Sequence, residues 1–168
     1  MKKIAIIYGS STGNTETIAL NIAEKLSGED IKLIEVSKLK ASDLDEFSNL
    51  ILGTSTWGLG ELQDDWDVAI SLLEKSNLNG KVIALYGLGD ASSYSDTFVD
   101  GMGIIYDTIK DKGCNVIGET STDGYQFDSS KAVVDGKFIG LALDEDTESN
   151  LTGARLDKWI ANILPLFK

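Results

Sequence analysis

Residues 4–18 read Ile4-Ala5-Ile6-Ile7-Tyr8-Gly9-Ser10-Ser11-Thr12-Gly13-Asn14-Thr15-Glu16-Thr17-Ile18. The first five form a continuous apolar run rich in β-branched residues, the pattern of a strand buried on both faces. Beyond the loop, Ile18, Ala19, Ile22, Ala23 and Leu26 recur at helical spacing and stop at Gly28. A strand covered on both sides that passes through a short loop into a helix is the opening unit of a parallel sheet sandwiched by helices.

The rest of the chain repeats that unit. Ile31–Val36 reads as a weaker second strand and Leu50–Leu52, ending at Gly53, as a third. A loop to Gln63 leads into a helix carrying Trp66, Ile70 and Leu73. Val82–Tyr86 is the fourth strand, Phe98, Met102, Ile105 and Ile109 mark the next helix, and residues 114–117 begin the fifth strand. Leu156, Trp159, Ile160, Ile163 and Leu164 define the last helix, with Pro165 near its end. Glu119 to Gly140 breaks the rhythm: it is polar, rich in Gly, Ser and Asp, and long for a strand-to-helix connection. It reads as an insertion that splits the fifth strand, which is expected to resume at Phe138–Leu143. Whether the insertion is a partner surface or only a loop stays open at this level. No linker or repeat divides residues 1–168, so a single domain is expected.

Composition narrows the chemistry. There is no histidine, which removes Ser-His-Asp and Cys-His nucleophiles and His-ligated zinc. One cysteine, Cys114, leaves no internal disulfide or CxxC site, and reads as a buried strand residue. Twenty-seven acidic against fifteen basic side chains give a formal charge of −12, which repels nucleic acid and favours a basic protein partner. The apolar run near the N-terminus is too short for a signal peptide or membrane span, so a cytoplasmic location is expected.

In an open parallel sheet, ligands bind beyond the carboxyl ends of the strands. The loop after the first strand holds four hydroxyl residues, an amide and two glycines, a set suited to an anion held by backbone N–H groups at a helix N-terminus, although a capped helix start has similar residues. It is not a nucleotide-triphosphate loop: Gly9 to Gly13 is one residue short and Asn14 stands where lysine is needed. No Lys or Arg lies between Lys3 and Lys25. A phosphate there would keep most of its charge, which suits a handle and not phosphoryl transfer. Gly87-Leu88-Gly89-Asp90-Ala91-Ser92 is the nearest run to a dinucleotide fingerprint, and it fails at its last position.

The loops after the third and fourth strands each set one large aromatic, Trp57 and Tyr94, among glycines and small polar residues. They can close on the two faces of a flat ring or cover the edge of the core. Trp66 and Trp159 lie at helical core spacing and are expected inside.

The motifs GSSTGNTE (residues 9–16), TSTWGLGE (54–61) and GLGDASSYSDTF (87–98) closely resemble the three FMN-binding loops of the flavodoxins. The similarity runs the length of the chain, including LALDEDTES (141–149), and the interrupted fifth strand resembles the long-chain subclass. The resemblance implies a flavodoxin-like three-layer α/β sandwich with five parallel strands in the order 2-1-3-4-5. It makes Ser10, Ser11, Thr12, Gly13, Asn14 and Thr15 the cradle of the FMN phosphate. Trp57 and Tyr94 would sandwich the isoalloxazine. Backbone groups of Thr56, Gly58, Leu59, Gly60, Gly89 and Asp90 would meet its polar edge, and Thr56 and Asp146 would reach the ribityl chain. No metal and no catalytic residue is implied.

The activity so implied is a low-potential one-electron carrier that shuttles between semiquinone and hydroquinone. Its expected partners are basic redox proteins, such as a NADP-dependent flavodoxin or ferredoxin reductase, and acceptor oxidoreductases, with the carrier itself monomeric. The absence of Lys and Arg from the three loops fits a low potential, since added negative charge would lie in a negative site. Gly58, which tolerates positive φ, can turn its peptide toward the ring nitrogen that takes up a proton. An FMN-dependent quinone or nitro reductase on the same fold is the enzyme alternative, and Tyr94 stacked over the ring would block its substrate. A phosphoacceptor signalling module needs an Asp near Gly53-Thr54-Ser55, and none is there.

Overall fold

The computed structural model describes residues 1–168. Its central sheet is built from β1 (Lys3–Tyr8), β2 (Asp30–Glu35), β3 (Asn49–Trp57), β5 (Val82–Leu88) and a fifth strand in two pieces, β6 (Asn115–Ile117) and β10 (Leu141–Leu143). Strand order is β2-β1-β3-β5-β10, all parallel, with β6 on the same edge of β5 as β10. This is the expected 2-1-3-4-5 order with an interrupted fifth strand.

Alternation along the central strands explains the two cores. Ala5, Ile7, Leu50, Leu52, Ile83, Leu85 and Ala142 point to one face, where α3 (Asp64–Lys75) and α4 (Asp100–Ile109) bring Trp66, Leu73, Met102 and Ile105. Ile4, Ile6, Ile51, Ala84, Tyr86 and Leu143 point to the other, where α1 (Asn14–Lys25) and α5 (Thr152–Ile163) bring Ile18, Ile22, Leu156 and Trp159. In both layers each fully buried aliphatic or aromatic side chain contributes about 1.5–3 kcal/mol of burial. Trp66 and Trp159 are inside, as their spacing required.

Three local details differ from the sequence reading. β3 does not stop at Gly53 but continues to Trp57 and turns back through a short antiparallel strand, β4 (Glu61–Leu62), pairing Thr56 with Leu62 and Trp57 with Glu61. Gly53 interrupts the apolar pattern, not the strand: a Cβ there would lie 2.0 Å from the Tyr86 ring of the neighbouring strand. A short helix, α2 (Ala41–Glu46), precedes β3; its one buried residue, Leu44, gives no readable periodicity. Cys114 lies just before β6, half-buried, its Sγ–H donating to the Ile109 carbonyl, and partial burial pushes its thiol up.

The insertion is more ordered than its polar composition suggests. β7 (Thr120–Ser121), β8 (Val133–Val134) and β9 (Lys137–Phe138) form a small antiparallel sheet in the order β7-β9-β8. Phe138 therefore belongs to the insertion, and the central strand resumes only at Leu141. Tyr125, Phe127 and Phe138 gather around Phe98 with ring centroids 5.5–6.1 Å from it, at tilted or edge-on angles. The insertion thus shares the α3–α4 core rather than hanging from the fold.

Candidate functional site

The carboxyl ends of β1, β3 and β5 present three loops to one cleft of about 510 Å³. Ten of the residues singled out by sequence line it: Thr12, Asn14 and Thr15 from the first loop, Thr56, Trp57 and Gly58 from the second, Gly89, Asp90 and Tyr94 from the third, and Asp146 from the loop after β10. Ser55, Leu88, Thr97 and Glu145 also line the cleft and were not foreseen. Glu145 is adjacent to Asp146, and Ser55 sits two positions before Trp57, so strand alternation could have found the latter.

The first loop is held from three sides. The Gly9 N–H donates to the Gly53 carbonyl (3.1 Å), which also accepts from the Trp66 indole (2.8 Å). Gly9 is tightly enclosed: a Cβ there would fall 2.2 Å from Gln63 Oε1 and 2.6 Å from Trp66. The buried Gln63 amide accepts from the Trp66 N–H and donates to Ser11 Oγ (3.2 Å) and Asp65. Below the loop, the buried Tyr86 hydroxyl donates to the Thr15 carbonyl (3.0 Å). Gly13 takes φ 96° to turn the chain into α1, its N–H donating to Ser10 Oγ (3.1 Å). The Asn14, Thr15 and Glu16 N–H groups have no acceptor within the protein, as the first turn of a helix requires.

Ser10, Ser11 and Gly13 are therefore tied into the loop and do not line the cleft themselves. Leu59 and Gly60 also stand apart from it, in the β3–β4 turn. Leu59 is 86% exposed, while Gly60 is buried at φ 91° beside Asp100.

The other two loops are more open. Trp57 is 39% exposed and Tyr94 50%. The Trp57 indole N–H donates to Ser55 Oγ at 2.8 Å. Gly58 has φ 51°, a value glycine tolerates, and a Cβ there would meet the Glu61 carboxylate at 3.2–3.4 Å. Thr56 Oγ1 accepts from the Gly101 N–H (2.9 Å), anchoring the end of β3 to the start of α4. Asp90 Oδ1 accepts from the Ser92 and Ser93 N–H groups, and the Tyr94 N–H donates to the Asp90 carbonyl (3.0 Å), closing a turn that sets the tyrosine. Behind this turn, the fully buried Asp144 accepts from the N–H groups of Ala91, Asp146 and Thr147 and from the Thr147 hydroxyl, locking the third loop to residues 144–147. Val99, β-branched and buried, takes φ 49°, a strained value, where it passes Gly89.

The cleft carries Asp90, Glu145 and Asp146 and no Lys or Arg. Burial, with Asp90 and Asp144 nearby, raises the Asp146 carboxyl above its usual range. Such a site suits an uncharged flat ring joined to an anion that is met by N–H dipoles and hydroxyls. An aromatic pair, a chain of hydroxyls and a helix N-terminus in one cavity are a donor set that fits a flavin mononucleotide.

A family model described as Flavodoxin matches residues 6–159. The chain belongs to the flavodoxin family. It is 43% identical to a flavodoxin of Nostoc sp. over 162 residues, covering 96% of this chain and 95% of that one. It is 44% identical to a flavodoxin of Buchnera aphidicola over 169 residues, covering 99% and 98%. The structure of Fusobacterium nucleatum flavodoxin bound to flavin mononucleotide superposes with a TM-score of 0.95 at 39% identity, covering the whole of both chains.

Proposed function

We propose that this chain is a flavodoxin-type electron carrier that binds FMN non-covalently, and not an enzyme with a substrate of its own. The observation that carries the reading is the union, in one cation-free cleft, of a helix N-terminus ringed by hydroxyls with two loop aromatics, Trp57 and Tyr94. Bound FMN supplies the redox centre, which gains and loses electrons one at a time.

The protein's part is binding, orientation and electrostatics. The N–H groups of Asn14, Thr15 and Glu16 and the hydroxyls of Thr12 and Thr15 bind the phosphate, while Ser10, Ser11 and Gly13 fix the loop that presents them. Trp57 and Tyr94 stack on the ring, and Thr56 and Asp146 hold the sugar-alcohol chain. Backbone groups of Gly58, Gly89 and Asp90 orient the ring's polar edge, with Leu59 and Gly60 shaping the turn beyond it. Gly58, already at positive φ, can reorient its peptide at little cost to hold a proton on that edge. Asp90, Glu145 and Asp146 disfavour added negative charge in the cleft, which lowers the potential at which it is accepted.

The partners we propose are basic redox proteins: a NADP-dependent reductase that donates electrons and oxidoreductases that accept them. Residues 54–67, 87–109 and 138–154 each carry four acidic side chains, and the loops at the cleft hold no basic one, so the face around the cleft attracts a basic surface. No helix is long and apolar enough to cross a membrane. We take the carrier to work as a monomer in the cytoplasm, where a lone thiol such as Cys114 stays reduced.

Anaerobic reductive titration followed by absorbance tests the reading. A flavin spectrum with two separated one-electron steps, the second at low potential, is expected. A colourless protein that takes up no FMN, or one that oxidises NADPH directly with a quinone as acceptor, would overturn it.

A further inference from the structure

Trp57 stands at the last position of β3, where the chain leaves the sheet for the β3–β4 turn, and its side chain is well exposed. An indole in that setting ordinarily samples several rotamers, and each must be given up when a ring stacks on it. Here one contact selects a single orientation. The indole Nε1–H donates to Ser55 Oγ at 2.8 Å. Ser55 and Trp57 are two residues apart on a strand, so both side chains leave the same face, which brings the hydroxyl within reach of the ring edge.

The acceptor end of this bond is firmly placed. Ser55 pairs with Leu88 on β5, and its carbonyl accepts from the Thr54 hydroxyl (3.0 Å). Gly101 of α4 lies so close to that carbonyl that a Cβ on it would come within 2.7 Å. The sheet therefore fixes Ser55, and Ser55 in turn accepts from the N–H edge of the Trp57 indole.

We propose that Ser55 is a positioning residue that acts through Trp57, orienting the indole for stacking before any ligand arrives. The proposal rests on the reading of this cleft as a flavin site and adds to it a residue that the loop motifs did not single out. Pre-orientation removes an ordering cost that would otherwise weaken binding. Because the effect lies on the ring, it should be felt equally by ligands with and without a phosphate.

Five proteins decide the matter: wild type, Ser55→Ala, Ser55→Thr, Trp57→Phe and the Ser55→Ala/Trp57→Phe double variant. Affinities for FMN and for riboflavin are read from flavin fluorescence quenching. Ser55→Ala is expected to weaken both ligands about fivefold, the loss typical of one neutral hydrogen bond. Ser55→Thr keeps the acceptor and should restore the affinity. The Trp57→Phe variant retains a ring but has no N–H, so adding Ser55→Ala to it should change nothing. An equal loss in that background, or no loss beside the native Trp57, would overturn the proposal. A ligand-independent readout is the near-UV circular dichroism of the full chain, taken as the difference between each protein that keeps Trp57 and its Trp57→Phe counterpart. This Trp57 signal should collapse in Ser55→Ala, and a signal that persists unchanged counts against the proposal. If the wild-type protein binds no FMN, the cofactor reading falls, and the dichroism alone still decides whether Ser55 orients the indole.

Discussion

The two ends of the cleft are built on opposite plans. At the phosphate-loop end, Gly9 is wedged under Gln63 and Trp66, its N–H is bound to Gly53, and Tyr86 supports Thr15 from below. At the aromatic end, Trp57 and Tyr94 stand partly in solvent, each held through one bond or a turn. The contrast fits what we propose each end recognises. An anion met without any lysine or arginine depends on N–H dipoles and hydroxyls in fixed directions, and these lose value quickly if they move. A flat ring is recognised by area, which tolerates motion, and it must leave an edge uncovered for a redox partner to approach.

The largest effects should come from breaking the rigid end. Gly53→Ala forces a methyl group into the Tyr86 ring and displaces the carbonyl that holds Gly9 and Trp66; we expect a loss of about 3 kcal/mol in stability by urea unfolding. Gly58→Ala, at the open end, should cost only about 1 kcal/mol, the ordinary cost of a side chain at positive φ. Equal destabilisation by the two would erase the contrast.

Ligand affinities sharpen it further. If Thr15 binds the phosphate as proposed, Thr15→Ala removes a hydroxyl donor to a charged group and should weaken FMN by about 2 kcal/mol while leaving riboflavin unchanged. Tyr94→Ala removes a stacking face and should weaken both ligands by about 1–2 kcal/mol. Titrating each variant with both flavins checks the pair, and a Tyr94 variant impaired for FMN alone would show that the two ends are not separable.

Electrostatics offers a smaller test. Reduction by a reductase should slow steeply as salt is raised, because acidic residues around the open end such as Glu61, Asp96 and Asp146 are exposed and screened. Rates indifferent to ionic strength would remove the steering role. The smallest expected effect concerns Asp100, whose carboxyl burial raises above its ordinary range. The folded state therefore holds this proton more tightly than the unfolded chain, so its contribution favours folding at low pH and is lost as pH rises past the carboxylate range. Asp100→Asn cannot ionise and keeps an acceptor for the Lys131 N–H, which Asp100 binds at 2.7 Å. Its stability relative to wild type should therefore be higher at pH 7 than at pH 4, as urea midpoints at the two values would show.

The same division governs how much could be read from sequence. The central strands announced themselves because burial on both faces leaves continuous apolar runs, as at Ile4–Tyr8 and Val82–Tyr86. Glycines and hydroxyls after a strand, and lone aromatics among glycines, marked the edge loops. What escaped was set by tertiary contact. The extension of β3 through Gly53-Thr54-Ser55-Thr56 is polar in sequence, and it is a strand because Tyr86 and β5 make it one. The insertion's two-residue strands are too short to carry periodicity, and its order comes from aromatic packing on Phe98. Gln63 gave no signal at all, since an amide that braces a loop from a neighbouring helix looks like any surface glutamine.

The divided fifth strand bears on the history of this architecture. The chain leaves the edge of β5 at Ile117, opposite Ala84, and rejoins the same edge at Leu141, opposite Tyr86, so the sheet would keep its pairings with all but one of residues 118–140 absent. On hydrogen bonding alone, gaining or losing the segment is a reversible event. Packing makes it a ratchet. Once Tyr125, Phe127 and Phe138 cover Phe98, an ancestor that discards the segment exposes an aromatic just beyond Tyr94, and descent back to a shorter chain must first redesign the floor beneath its own cofactor loop.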